Sequence, residues 1–131
     1  YKRQNEVCDV NPFGVEALIA AYNEGEEWLE ELKSYLFANY QYLKNYFNEH
    51  LPDFPVLKLE GTYLVWVDCS VLKKPSEEIV TALLEKEKVW VNEGSMYGED
   101  GDNFIRINIA CPRQQLAKGL ERLKHAFGQL S

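Results

Sequence analysis

A run of apolar residues at helical spacing, too long for one helix, constrains this chain more than any other feature. From Phe13 to Glu49, Leu18, Ala21, Tyr22, Trp28, Leu29, Leu32, Leu36, Leu43 and Phe47 recur at three- and four-residue steps, the period of an amphipathic α-helix. Unbroken, that span would measure ~55 Å at about 1.5 Å per residue, longer than a 131-residue globule is wide. A break is required, and Gly25, the glycine in the interior of the run, is the natural place for it. The pattern predicts two consecutive helices, roughly 13–23 and 25–49, entered through Asn11 as N-cap with Pro12 in the first turn.

The rest of the chain changes period. Leu51-Pro52-Asp53-Phe54-Pro55 stops the second helix. Val56 to Glu60 alternates weakly, Gly61 interrupts, and Thr62 to Val67 (TYLVWV) is dense in β-branched and aromatic residues, which predicts a strand covered on both faces. Asp68 to Lys74 reads as a loop. Pro75-Ser76-Glu77-Glu78 opens a helix to about Lys86, its acids in the positive first turn. Val89-Trp90-Val91 reads as a short strand, and Asn92 to Asn103 (NEGSMYGEDGDN) as a loop with three glycines. Phe104 to Ala110 (FIRINIA) alternates strictly: Ile105, Ile107 and Ile109 share one face, and Phe104, Arg106, Asn108 and Ala110 the other. Pro112 begins the last helix, with Leu116, Leu120, Leu123 and Phe127 along one side and Gly128 as its expected C-cap. This order predicts an α+β fold. It is a two-layer sandwich in which a sheet of three or four strands packs on helices, preceded by a long N-terminal helical segment, with one sheet face left available.

Charge narrows the functions. Fourteen Lys and Arg against 21 Asp and Glu give a net charge of −7, which disfavours contact with phosphate backbones, so no nucleic-acid partner is expected. No apolar run approaches the roughly 18 residues of a membrane span, and no basic, apolar, small-residue leader is visible. Cys8, Cys69 and Cys111 are far apart, without metal or redox spacing. They read as small buried hydrophobes in a reducing, cytoplasmic compartment. His50 and His125 read as solvated helix-end residues with no metal-ligand spacing, and the acids Glu24, Glu26, Glu27, Glu30 and Glu31 as a solvated helix face. No nucleophile-elbow motif is present.

Three places carry chemistry. Arg106 sits in the middle of a strand whose other face is all isoleucine, with Asn108 on its own face. A guanidinium offers a planar fork of donors that matches a carboxylate; the bland alternative is an arginine paired to a surface acid on a half-solvated sheet. The loop Gly94-Ser95-Met96-Tyr97-Gly98, followed by Gly101, lets backbone approach a ligand closely, but it lacks phosphate-loop spacing and precedes a strand rather than a helix. Gly61-Thr62-Tyr63, at the mouth of the TYLVWV strand, reads as a bulge or turn or as a site of close backbone approach.

Three stretches, EGTYLVWVD (60–68), VWVNEGSMYGEDGDNFIRINIACPRQQLAKGLERL (89–123) and NPFGVEALIAAYNEGEEWLEELKSYLFANYQYL (11–43), together resemble the carboxy-terminal part of pyridoxal-phosphate enzymes of the aspartate aminotransferase fold, in the cystathionine β-lyase and cystalysin branch of C–S lyases. In that family such segments build a small domain, which the long helix enters from a large domain. The resemblance implies that Arg106, in RINIA, holds the substrate's α-carboxylate. It also implies that Gly61, Thr62, Tyr63, Gly94, Tyr97 and Gly98, with Asn108, line the mouth of the site.

For the parent enzyme, the resemblance implies pyridoxal 5'-phosphate as cofactor, an amino-acid substrate, a homodimer, and C–S β-lysis or transamination as the reaction. The Schiff-base lysine, the carboxylate for the pyridinium nitrogen and the phosphate cup belong to the large domain in that family, and Lys2, Lys33 and Lys44 stand in no matching motif. The chain also begins without Met, and residues 1–10 lack periodicity. The expectation is therefore a small domain over 13–131, with 1–12 a linker remnant from a missing large domain, inactive and without cofactor on its own. A free-standing α+β regulatory or interaction module is the alternative.

Overall fold

The computed structural model describes residues 11–130. It has four helices, α1 (Pro12–Glu24), α2 (Glu26–His50), α3 (Ser76–Glu87) and α4 (Arg113–Leu130), and three strands, β1 (Leu64–Asp68), β2 (Asn92–Glu93) and β3 (Phe104–Asn108). They fall into two compact units, one ending at Tyr35 and one beginning at Leu36. Cys8 and residues 1–10 of the expected linker lie outside the described residues.

In the first unit, the Asn11 side chain accepts a hydrogen bond from the Gly14 N–H at 2.7 Å and caps α1, with Pro12 in the first turn. Gly25 is the single non-helical residue between α1 and α2, and a Cβ there would collide with the carbonyl oxygen of Ala21. The break therefore falls where the pattern placed it. Helix α1 buries no residue, and Phe13, Leu18, Ile19 and Tyr22 are exposed. The acids of the 24–31 cluster are exposed as well.

The second unit is α+β, a three-stranded antiparallel sheet in the order β1-β3-β2 covered by helices. Alternation along the strands sends Val65, Val67, Ile105 and Ile107 into a single core with Leu43 and Phe47 of α2, Ile79 and Leu83 of α3, and Leu116, Leu120, Leu123 and Phe127 of α4. Phe54, held between Pro52 and Pro55, stacks on Phe127 with ring centroids 4.3 Å apart. Glu77 and Glu78 lie in the first turn of α3, where the helix dipole favours them, and Lys88, in the left-handed conformation, ends that helix.

Four boundaries differ from expectation. The first strand starts at Leu64, not Thr62, because Thr62 takes a positive φ of 64° and turns the chain, its hydroxyl accepting from the Leu64 N–H. Val89-Trp90-Val91 is not the strand: the Val89 N–H goes to the Leu83 carbonyl, and ladder pairing begins only where Asn92 comes opposite Arg106. The last strand stops at Asn108, whose side-chain oxygen takes the Ala110 N–H at 2.8 Å in a local turn. Helix α4 runs through Gly128 to Leu130, so Gly128 is not its cap.

Candidate functional site

β3 is the central strand, and Arg106 is its middle residue. Trp66 of β1 stands opposite Arg106 on one side and Asn92 of β2 on the other. Directly opposed residues share a sheet face, so Trp66, Arg106 and Asn92 form a row on the face turned away from the core. The half-buried guanidinium donates from Nη2 to the Asn92 side-chain oxygen at 3.3 Å. The Tyr97 ring lies over it, 4.3 Å from Cζ. Trp66 meets Tyr97 edge-on at 5.4 Å and Phe104 edge-on at 6.5 Å. No acid pairs with Arg106 among the described residues, so the surface ion pair weighed as the bland alternative is not what holds it. Its Nε is buried and has no hydrogen-bond partner. A buried N–H of a charged group without an acceptor is costly, and it is complementary to an anion.

The glycine loop delivers Tyr97. A Cβ on Gly94 would collide with the carbonyl oxygen of Gly101, and one on Gly101 with that of Gly94, so the two ends of the loop close backbone to backbone. Gly98 holds φ 129°, ψ 162°, a region that favours glycine. Buried Ser76, at the start of α3, ties the loop down. Its N–H donates to the Asp102 carbonyl at 2.8 Å, its hydroxyl donates to the Ser95 hydroxyl at 3.2 Å, and that same Ser76 oxygen accepts from the Ser95 N–H at 3.2 Å. Of the sequence-derived residues, Gly94, Tyr97 and Gly98 thus belong to one device over Arg106. Asn108 shares its face but is exposed, with its side chain spent on the turn at Ala110. Gly61-Thr62-Tyr63 lies beyond the Leu64–Asn108 pair at the end of β1. Among the described residues nothing lies within 4 Å of a Cβ built at Gly61.

Asn92, Trp66, Ser76 and Asn39 were not legible as parts of this arrangement. Asn39 is fully buried on α2 and donates to the carbonyls of Ile109 and Cys111 at 2.8 and 3.0 Å, while accepting from Arg113 Nε at 2.7 Å. The available signal was a polar residue in the Leu36, Leu43, Phe47 stripe. No group of three or more His, Cys, Asp or Glu side chains placed to hold a metal ion forms among the described residues. His125 pairs with Glu87 and His50 packs on Tyr46. A groove of about 740 Å³ between residues 88–91, the end of β3 and α4 does not include Arg106. No helix among the described residues is long and apolar enough to cross a membrane.

These groups suit a carboxylate. Among the described residues Lys33, Lys58 and Lys74 each pair with a glutamate. Cystathionine β-lyase PatB of Bacillus subtilis is 34% identical over 95% of this chain and 32% of its own length. Protein MalY of Escherichia coli is 39% identical over 85% of the chain and 28% of its own length. The crystal structure of cystalysin from Treponema denticola, which contains a pyridoxal 5'-phosphate cofactor, superposes with a TM-score of 0.89 at 28% identity, covering 99% of this chain and 34% of that one. The chain thus spans about a third of the length of the relatives it matches. The model of aminotransferase class I and II matches residues 4–123, and the chain belongs to that family, in its pyridoxal-phosphate C–S lyase branch.

Proposed function

We propose that this chain is the small domain of a longer pyridoxal-phosphate enzyme acting on amino acids, a C–S β-lyase or an aminotransferase, and that Arg106 holds the substrate's α-carboxylate. The buried, unpartnered Nε of Arg106 carries this reading, and the length of the relatives supports a larger remainder. That remainder supplies the cofactor's lysine, the carboxylate for its ring nitrogen and its phosphate site. The other partners are the amino acid and a second copy of the whole protein.

The chemistry at the α-carbon is the cofactor's, an electron sink; this chain contributes geometry. A guanidinium fixed in a central strand takes the carboxylate through parallel N–H donors, and fixing that end orients the α-C–H bond toward the base. The rings of Trp66, Tyr97 and Phe104 flank the guanidinium on one side and limit its contact with water. From cystathionine and water, the lyase outcome is pyruvate, ammonia and a thiol. On this reading the covalent anchor of the cofactor belongs to the remainder, and the isolated chain is expected to be inactive.

The test is kcat/KM of the full-length protein with cystathionine. Arg106→Ala is expected to lose about 2–5 kcal/mol of transition-state binding, roughly thirtyfold to several thousandfold. An unchanged kcat/KM would remove the assigned role.

A further inference from the structure

We propose that Tyr97 is the positioning residue of this carboxylate grip, setting the plane of the Arg106 guanidinium by stacking on it; this rests on the reading of Arg106 given above. A guanidinium at the end of a flexible stem needs more than one tether to present a fixed fork. Its hydrogen bond among the described residues, to Asn92 at 3.3 Å, leaves it free to rotate about that contact. The Tyr97 ring, 4.3 Å from Cζ, removes that freedom by closing one face of the plane. The ring is itself braced, since Trp66, the cross-strand neighbour of Arg106, stands edge-on to it at 88°.

Three further observations separate this role from core filling. Tyr97 is 49% exposed, so it is not there to complete the hydrophobic core. Its loop is closed by the Gly94–Gly101 contact and anchored through Ser76, far more constraint than a connection between β2 and β3 requires. No hydrogen bond engages its hydroxyl among the described residues, so the ring, not the hydroxyl, performs the task. Stacking leaves the in-plane N–H groups, including the unpartnered Nε, as the donors offered to the acid.

The experiment measures KM and kcat of the full-length protein for an amino-acid substrate and for the same substrate as its carboxamide, in Tyr97→Leu, Tyr97→Phe and Arg106→Ala variants. Tyr97→Leu is expected to raise KM for the acid about fivefold, the scale of a cation–π contact, with kcat within twofold. KM for the carboxamide, which offers no charge to grip, should stay in place. Tyr97→Phe should recover most of the lost affinity. An unaltered KM in Tyr97→Leu, an equal rise for acid and carboxamide, or no recovery with Phe overturns the assignment of Tyr97 while leaving Arg106 in place. An unimpaired Arg106→Ala overturns both.

Discussion

The Asn39 side chain of α2 donates to the carbonyl of Ile109 at 2.8 Å, fastening the long helix to the chain just past Arg106. The same amide reaches the Cys111 carbonyl, and its oxygen takes the Arg113 Nε–H. One buried side chain therefore bonds to both the end of the guanidinium-bearing strand and the start of α4. Asn39→Ala removes the amide that donates to the buried Ile109 carbonyl and accepts from Arg113 Nε. The expected loss is about 2–4 kcal/mol of unfolding free energy, at roughly 1–3 kcal/mol for each group left unsatisfied. Urea titration measures it, and a loss under about 1 kcal/mol would show that water replaces the amide.

Residues whose neighbours are close in sequence were legible; residues whose partners are distant were not. Gly25 announced the helix break because a Cβ there meets its own helix at Ala21. The isoleucine alternation of β3 announced both the core face and Arg106's opposite one. Val89-Trp90-Val91 failed because propensity does not determine register. Its β-branched residues leave Trp90 81% exposed, while the polar pair Asn92-Glu93 meets β3. The resemblance marked Arg106 and Tyr97 as parts of one site but not their contact, which depends on a Gly94–Gly101 approach seven positions apart. Asn39 was hidden because its partners lie some seventy residues away.

The two glycine sites should respond oppositely to alanine. At Gly94 a Cβ meets the backbone of Gly101 and Phe104, which cannot rotate aside. Gly94→Ala is expected to cost about 1–3 kcal/mol, the range of overpacking, or more. At Gly61 the space is open and φ is outside the left-handed region, so Gly61→Ala should stay within about 0.5 kcal/mol of the parent. Paired denaturation curves decide it, and equal effects would contradict the closed loop neck.

Phe54 and Phe127 test whether the segment after α2 is part of the core. Their rings stack at 4.3 Å and 20°, and both are buried. Phe127→Ala is expected to lose about 3–5 kcal/mol. Phe54→Leu keeps most of the volume and should cost less than about 1.5 kcal/mol. In a double mutant the two losses should fall short of additivity, because the stack is already gone after either change. Strict additivity would mean that the rings do not interact.

Cys69 gives stability an alkaline limit. It is fully buried, and burial, with Asp68 adjacent, pushes its thiol up to about 12, a backbone hydrogen bond from Ile105 only partly opposing this. Unfolded, the thiol ionises near 9.0. Below that pH both states keep the proton and the contribution is complete. Above it, the unfolded chain releases the proton and the folded one does not, so stability falls by about 1.4 kcal/mol per pH unit until the folded thiol also ionises. Burial raises the Cys111 thiol in the same direction, so the comparison must isolate Cys69. Between pH 7 and pH 10 the parent should lose about 1–1.5 kcal/mol more than Cys69→Ala does. In the native state Cys69 should also resist a thiol reagent at pH 8, reacting only as the fold opens. Equal alkaline slopes in the two proteins would show that Cys69 ionises in place.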